Sequence, residues 1–210
     1  ESETGGPVLN LISGSGGNRF AGTAFLATAG EWSQGSNLDG ELKKFGINEP
    51  PGLIKSWDAS ATLGGPIKRD KLWFFFNYRD YGNHTDIPGL FANANAGNPD
   101  SWTYVADTSR PARGATSKQI ASIRLTSQVT PRNKVGFYFD YQQPCDQGAQ
   151  SVGSDACRSA TDEWVLGSSF FGSAWSPEAI SNYWDKREKI VQLTWTSQVT
   201  NRLLLDAGYS

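Results

Sequence analysis

Hydrophobic alternation with a period of two recurs along most of this 210-residue chain and limits its fold more than any other feature. Successive side chains of a β-strand point to opposite faces, so a strand with one apolar face carries an apolar residue at every second position. Val135, Phe137, Phe139 and Tyr141 form one such set, opposed by Gly136, Tyr138, Asp140 and Gln142. Val191, Leu193 and Trp195 stand against Gln192, Thr194, Thr196 and Gln198; Trp57, Ala59, Ala61 and Leu63 stand against Asp58, Ser60 and Thr62. Phe74, Phe76 and Tyr78 share a face that leaves Asn77 and Arg79 on the other. The pattern predicts strands at 20–30, 56–66, 71–82, 118–130, 134–143, 187–199 and 202–210.

The connections alternate in length. Residues 67–70, 131–133 and 200–201 are predicted tight turns, whereas 31–55, 83–117 and 144–186 are long and rich in Gly, Asn, Ser, Asp and Pro. Hairpins with short turns at one end and long loops at the other are the pattern of bacterial outer-membrane barrels. Thr126-Ser127-Gln128-Val129-Thr130 returns as Thr196-Ser197-Gln198-Val199-Thr200, each copy running into a turn and an apolar strand, so two hairpins follow one plan. Trp32, Trp57, Tyr81, Tyr141 and Trp184 fall near the long-loop ends of strands, the level of an interfacial aromatic girdle. A soluble β-sandwich with these rings as its core is the competing reading of the alternation, and a secreted β-sandwich binding module with the same aromatics on its surface is the competing function.

Composition narrows the function classes. With 23 Gly, 8 Trp, 7 Tyr and 11 Phe but only 19% charged residues, the chain suits turn-rich β-structure better than a helical bundle. A net charge of −2 supplies no positive field for nucleic acid. No run reaches the roughly 18 apolar residues of a membrane helix. A membrane strand needs only about 9 to 11 residues, apolar on one face, and leaves mean hydropathy as ordinary as the −0.47 of this chain.

Enzyme chemistry finds no footing, and no catalytic, cofactor or metal site is predicted. Gly14-Ser15-Gly16-Gly17-Asn18-Arg19 completes neither a dinucleotide fingerprint nor a P-loop. His84 is the single histidine, predicted to be solvated in a polar loop, and no serine sits in a nucleophile elbow. Asp162-Glu163 reads as a solvated loop pair, and the Asn83-His84-Thr85 sequon means little in a bacterial protein. The chain also lacks Met, which is expected of a processed chain or of a piece of a longer one.

Two motifs carry a family resemblance. Residues Gly5 to Gly22, with Val8-Leu9-Asn10-Leu11-Ile12 and Ser15-Gly16-Gly17-Asn18-Arg19-Phe20-Ala21-Gly22, resemble the segment where the plug of a TonB-dependent receptor ends and its barrel begins. Leu63-Gly64-Gly65-Pro66-Ile67-Lys68-Arg69-Asp70-Lys71-Leu72-Trp73-Phe74-Phe75-Phe76 resembles a hairpin of the Oar-like branch, whose members carry a carboxypeptidase-regulatory-like domain upstream. The resemblance implies an all-β fold: an antiparallel, up-and-down transmembrane β-barrel segment, about seven strands of a larger barrel, with long extracellular loops. It implies that residues 1–19 hold the end of the plug and its junction, and 20–210 the first barrel strands. Full receptors of this kind have about 22 strands, so the chain is expected to be incomplete, as its end at Tyr209-Ser210 after an odd strand also indicates.

The function so implied is TonB-driven uptake of a large or scarce nutrient (an oligosaccharide, peptide or chelate) across the outer membrane. Partners would be outer-membrane lipid, the nutrient, and the TonB complex through a region absent from this chain. A surface adhesion or assembly role for a receptor-like barrel fits the same sequence. Loop residues Trp102, Tyr104, Trp164, Phe170, Phe171 and Trp175 are candidate ligand contacts, because aromatic rings in wet loops suit stacking on sugars or gripping peptide side chains. Loop self-packing explains them equally well. Val135, Phe137, Phe139, Leu193, Trp195, Leu203 and Leu205 are expected to face lipid, and Asp140, Gln192, Thr194 and Asp206 the lumen. Cys145 and Cys157, in one loop that this topology places outside the cell, are expected to form a disulfide.

Overall fold

The computed structural model describes residues 14, 16–36, 38–44, 52–145, 165–166, 168–170, 173–175 and 187–210. Its strands are β1 (Ala21–Gly30), β2 (Leu53–Lys68), β3 (Leu72–Asn93), β4 (Ala106–Thr130), β5 (Asn133–Cys145), β6 (Val165–Leu166), β7 (Ser168–Phe170), β8 (Ser173–Trp175), β9 (Glu188–Thr200) and β10 (Leu203–Tyr209). Among the described residues, helix is confined to a 3-10 turn at Glu31–Ser33 and one short α-helix, α1 (Gly40–Lys44). Strands β1 to β5, β9 and β10 lie side by side in that order, every neighbour antiparallel. This sheet is open, with β1 and β10 as its outer strands, so the structure is an all-β meander and not a closed barrel.

All seven predicted strands are present. The largest difference lies in the expected loop 83–117, most of which is strand: β3 continues to Asn93 and β4 begins at Ala106. Polar residues there hide the alternation, and Pro88 and Gly89 look like loop. A register shift between Asp86 and Phe91 absorbs them, with Gly89 at φ +74°, and pairing resumes at Phe91↔Pro111. The buried hydrophobic side chains among the described residues, Leu90, Ala92 and Ala112, all belong to this extension. A second difference is β6, which pairs in parallel with β4 at Ala112 and Arg113 inside the stretch expected to be loop 144–186. Pairs β7 and β8 form a small hairpin in the same stretch.

Register sorts the side chains of the main sheet into two contrasting faces. Directly paired residues share a face, so Leu63, Phe76, Ile123, Phe139 and Val191 form one row and Gly65, Phe74, Leu125, Phe137 and Leu193 the next. The opposite face carries Thr23, Thr62, Asn77, Ser122, Asp140 and Ile190 in one row and Arg124, Tyr138 and Gln192 in the next. Phe25, Trp73, Phe75, Ile120, Ile190 and Leu204 are large apolar interruptions on this polar side. Exposure runs against the rule for water-soluble proteins: Leu193 is 48% and Trp195 41% exposed, whereas Asp140 is 4% and Ser122 9%. The residues expected to face lipid fall on the apolar side and Asp140, Gln192, Thr194 and Asp206 on the polar side. Leu203 is set apart by a bulge between it and Leu204.

The tight turns explain two sequence motifs. After each copy of the repeated pentapeptide, a threonine hydroxyl caps the turn: Thr130 Oγ1 accepts from Arg132 N at 3.3 Å, and Thr200 Oγ1 from Arg202 N at 3.2 Å. In the β2–β3 turn Asp70 takes φ +61°, a region that Asp tolerates better than most residues. Asn18 reaches this turn from the segment before β1. Its Oδ1 accepts from Asp70 N at 3.0 Å and from Trp73 Nε1 at 2.7 Å, while its Nδ2 donates to Asp70 Oδ1. The two motifs behind the family resemblance are thus one physical unit. Gly16 lies so near the Phe74 carbonyl that a Cβ there would collide with it, and Gly14 sits against the Phe75 ring on the polar face. On the apolar face Phe20 covers Gly65 and meets Phe74 with ring centroids 6.3 Å apart. Most of the expected plug end lies outside the described residues.

Candidate functional site

The polar face is built from interlocked charges. Arg79 donates to Asp58 through Nε at 3.0 Å and Nη2 at 2.7 Å, and its guanidinium lies 4.4 Å from the centre of the Tyr81 ring. This bidentate form is the strong geometry for an arginine–carboxylate pair. Farther along, Arg124 lies over Tyr138 at 5.1 Å, Tyr138 donates to Asp140 at 3.0 Å and Gln142 donates to Asp140 at 2.6 Å. Lys118 meets Glu188 at 3.5 Å. The face is therefore polar and close to neutral, because its charges are matched locally.

An open depression of about 280 Å³ is sunk into this face, lined by Ser56, Trp57, Asp58, Tyr81, Gly82, Asn83 and Thr116. Ser56, Asp58, Tyr81, Asn83 and Thr116 project from the polar side by register; Trp57 and Gly82 belong to the other. No sequence motif marks this group, since its members come from three strands: in the sequence Trp57 and Tyr81 read as girdle residues and the others as polar alternates or loop residues. The strand register alone brings them together.

Across the sheet from the depression the apolar face ends. In β5 the apolar set runs from Val135 to Tyr141, roughly 20 Å at about 3.4 Å per residue. Tyr78, Tyr141 and Trp57 lie at its upper edge, and Trp57 fills the space above its partner Gly82 while Nε1 donates to Asp80 at 2.8 Å. Asp80 also accepts from Gln119 at 3.1 Å. Of the expected girdle, Trp57 and Tyr141 hold this position. Tyr81 is instead on the polar face, because it lies an odd number of residues from Tyr78. Trp32 is exposed in the 3-10 turn, and Trp184 lies outside the described residues.

Beyond Trp57, past the apolar band, stands His84. It is buried on β3 and meets Trp57 edge to face with centroids 5.1 Å apart, which corrects the expected solvated loop histidine. The cause is the unforeseen strand extension. Burial, followed by the positive charges of Lys55 and Arg113, lowers its pKa from 6.5 to about 4. The folded pKa lies below the unfolded one, so this group's contribution is complete above pH 6.5 and is lost as pH falls toward 4. A neutral imidazole is expected at pH 6, with the extension loosening only as pH drops through that window. NMR titration of the ring checks it, and a pKa at or above 6.5 would contradict the burial argument.

Trp102 and Tyr104 are the candidate contact residues whose side chains the structure describes, and neither lines the depression. Trp102 is 95% exposed in the connection 94–105. Tyr104 is held by its own chain, its hydroxyl donating to the Phe91 carbonyl at 3.1 Å, as loop self-packing requires. Phe170 and Trp175 fall on β7 and β8, paired with Ser173 and Ser168. Trp164, Phe171 and Cys157 lie outside the described residues, while Cys145 ends β5.

Against known proteins, the sequence has a partial match. The chain is similar to a TonB-dependent transporter. This relative, the TonB-dependent transporter Oar of Myxococcus xanthus, is 40% identical over 82 residues, covering 36% of this chain and 7% of the relative. The chain thus spans a small part of that relative's length, and the match supports kinship with such transporters without defining a substrate. No family model and no solved structure matches the chain.

Proposed function

We propose that this chain forms the first barrel strands of an outer-membrane receptor of the TonB-dependent kind, working in uptake of a large or scarce nutrient. The inverted sheet carries this reading. Rows of exposed Phe, Leu, Val and Trp on one side suit hydrocarbon, and the polar side with buried Ser122 and Asp140 suits a wet lumen. A secreted sandwich would cover the apolar side with a second sheet, whereas Leu63, Phe76, Leu193 and Trp195 are exposed here. The close turns at 69–71, 131–132 and 201–202 share one end of the sheet, consistent with a periplasmic side, and the long connections share the other. Gly14 and Gly16 approach from the polar side, which supports a plug inside the lumen as the upstream neighbour.

Labelling tests the placement. In the full-length protein within intact outer membrane, a cysteine from Gln192→Cys should react with a water-soluble maleimide, whereas one from Leu193→Cys should resist it. Reversed labelling, or recovery of the protein as a water-soluble monomer, would overturn the reading. The same topology puts the loop after Cys145 in an oxidising environment, where a bond to Cys157 would stabilise by about 3 kcal/mol for a loop of this size. Mass spectrometry of unreduced peptides should find the two linked. Two free thiols in membrane-isolated protein would count against both the bond and the external position of that loop.

A further inference from the structure

From the depression on the polar face we infer that the receptor takes a neutral, hydroxyl-rich ligand there, a sugar unit of an oligosaccharide. This rests on the uptake reading above and narrows its substrate class. Its volume of about 280 Å³ is open to one side, a shape for one unit of a longer ligand rather than for an enclosed small molecule. The lining offers a carboxylate, an amide, two aliphatic hydroxyls and a phenol: Asp58, Asn83, Ser56, Thr116 and Tyr81. Among the described residues, the Asn83 amide, the Thr116 hydroxyl and the Tyr81 hydroxyl make no hydrogen bond within the chain. Arg79 occupies two acceptor positions of Asp58 and leaves about two more for ligand hydroxyls.

Charge separates this class from the other two. Arg79 pairs with Asp58, and the adjacent Lys118 is met by Glu188, so the charges in and beside the lining on its own face are matched and offer an ionic ligand no surplus partner. An anionic chelate would gain from surplus cations, and a peptide from charges matched to its own side chains or ends. A sugar needs neither. It needs paired donors and acceptors with an aromatic surface, and Tyr81 brings that surface into the lining, braced from behind by the Arg79 guanidinium. By register the depression lies level with the upper edge of the apolar band, which is the mouth of the lumen in the proposed topology.

Full-length receptor in detergent, exposed to a glycan array alongside ferric chelates and mixed peptides, tests the inference. At least one oligosaccharide should bind, and Asn83→Ala and Tyr81→Ala should each weaken it tenfold or more. Asn77→Ala, on the same face but outside the lining, should leave it unchanged. Thr116→Ala serves as a second, smaller lesion should either main variant fail to fold. Absence of glycan binding, glycan binding indifferent to all the lining variants, or a chelate or peptide lost on those variants would overturn the assignment. Recovery of the unmodified protein in the outer-membrane fraction distinguishes the cases. A receptor that is in the membrane yet binds no glycan sinks only the sugar assignment, whereas one absent from the membrane removes the uptake reading itself.

Discussion

Arginine at position 137 should cost the membrane-folded protein roughly 2 to 4 kcal/mol, whereas arginine at position 138 should cost much less. Phe137 stands in an apolar row with Phe74, Leu125 and Leu193, so its replacement would drive a guanidinium into the middle of the lipid-facing band. Tyr138 points the other way, beside Arg124 and Asp140, where water and a carboxylate are within reach. Urea titration of the full-length protein refolded into lipid vesicles reads the difference as a shift in midpoint. Equal tolerance of Phe137→Arg and Tyr138→Arg would contradict the register, since a slip of one residue exchanges the two faces entirely.

The second large effect is expected where the chain enters β1. Gly16→Ala forces a methyl group against the Phe74 carbonyl, a backbone atom that cannot step aside without disturbing the β2–β3 ladder. Overpacking of this kind costs about 1 to 3 kcal/mol. The displaced segment would also lose the Asn18 contacts to Asp70 and Trp73, so Asn18→Ala should reproduce part of the effect, about 1 to 3 kcal/mol. Gly17 is the control, because nothing lies within 4 Å of a Cβ built there. Limited proteolysis of the membrane-inserted protein should cut near residues 14–19 faster in Gly16→Ala and Asn18→Ala, and no faster in Gly17→Ala. Equal cutting of all three would mean that the segment is not held by these contacts.

The sheet was legible because one property, apolar alternation, is imposed on every strand that has one greasy face. Val135 to Tyr141 and Val191 to Trp195 announce their partners as well as themselves, since paired strands must present the same face. That signal ends where the apolar band ends. Asn83 to Asn93 and Ala106 to Ser117 carry no sustained apolar alternation, although His84, Leu90, Ala92 and Ala112 are buried there, so their residue types do not separate strand from loop; the ladder already running below them decides. His84 was misjudged for the same reason. The depression was invisible for a different one: Ser56, Asp58, Tyr81, Asn83 and Thr116 are far apart in sequence and acquire meaning only through register. Aromatic residues were easier to notice in loops, yet the Tyr104 hydroxyl proves to donate to the Phe91 carbonyl.

The irregularity at Asp86–Phe91 separates two parts of the same strand pair that answer to different demands. Below it, a residue added or lost would turn Phe74, Phe76 and Tyr78 toward the wrong side. Above it, pairing is reset twice, from Asp86↔Arg113 to Phe91↔Pro111 and then to Ala92↔Asp107, so a change in length there has no bearing on the rows beneath. The upper hairpin, with its own small buried group of Leu90, Ala92 and Ala112, is in effect an exchangeable headpiece on an invariant stem. Insertions, deletions or grafted sequences between Pro88 and Pro111 should leave the stem undisturbed, which makes this stretch the natural place for one scaffold to vary what that end of the sheet presents.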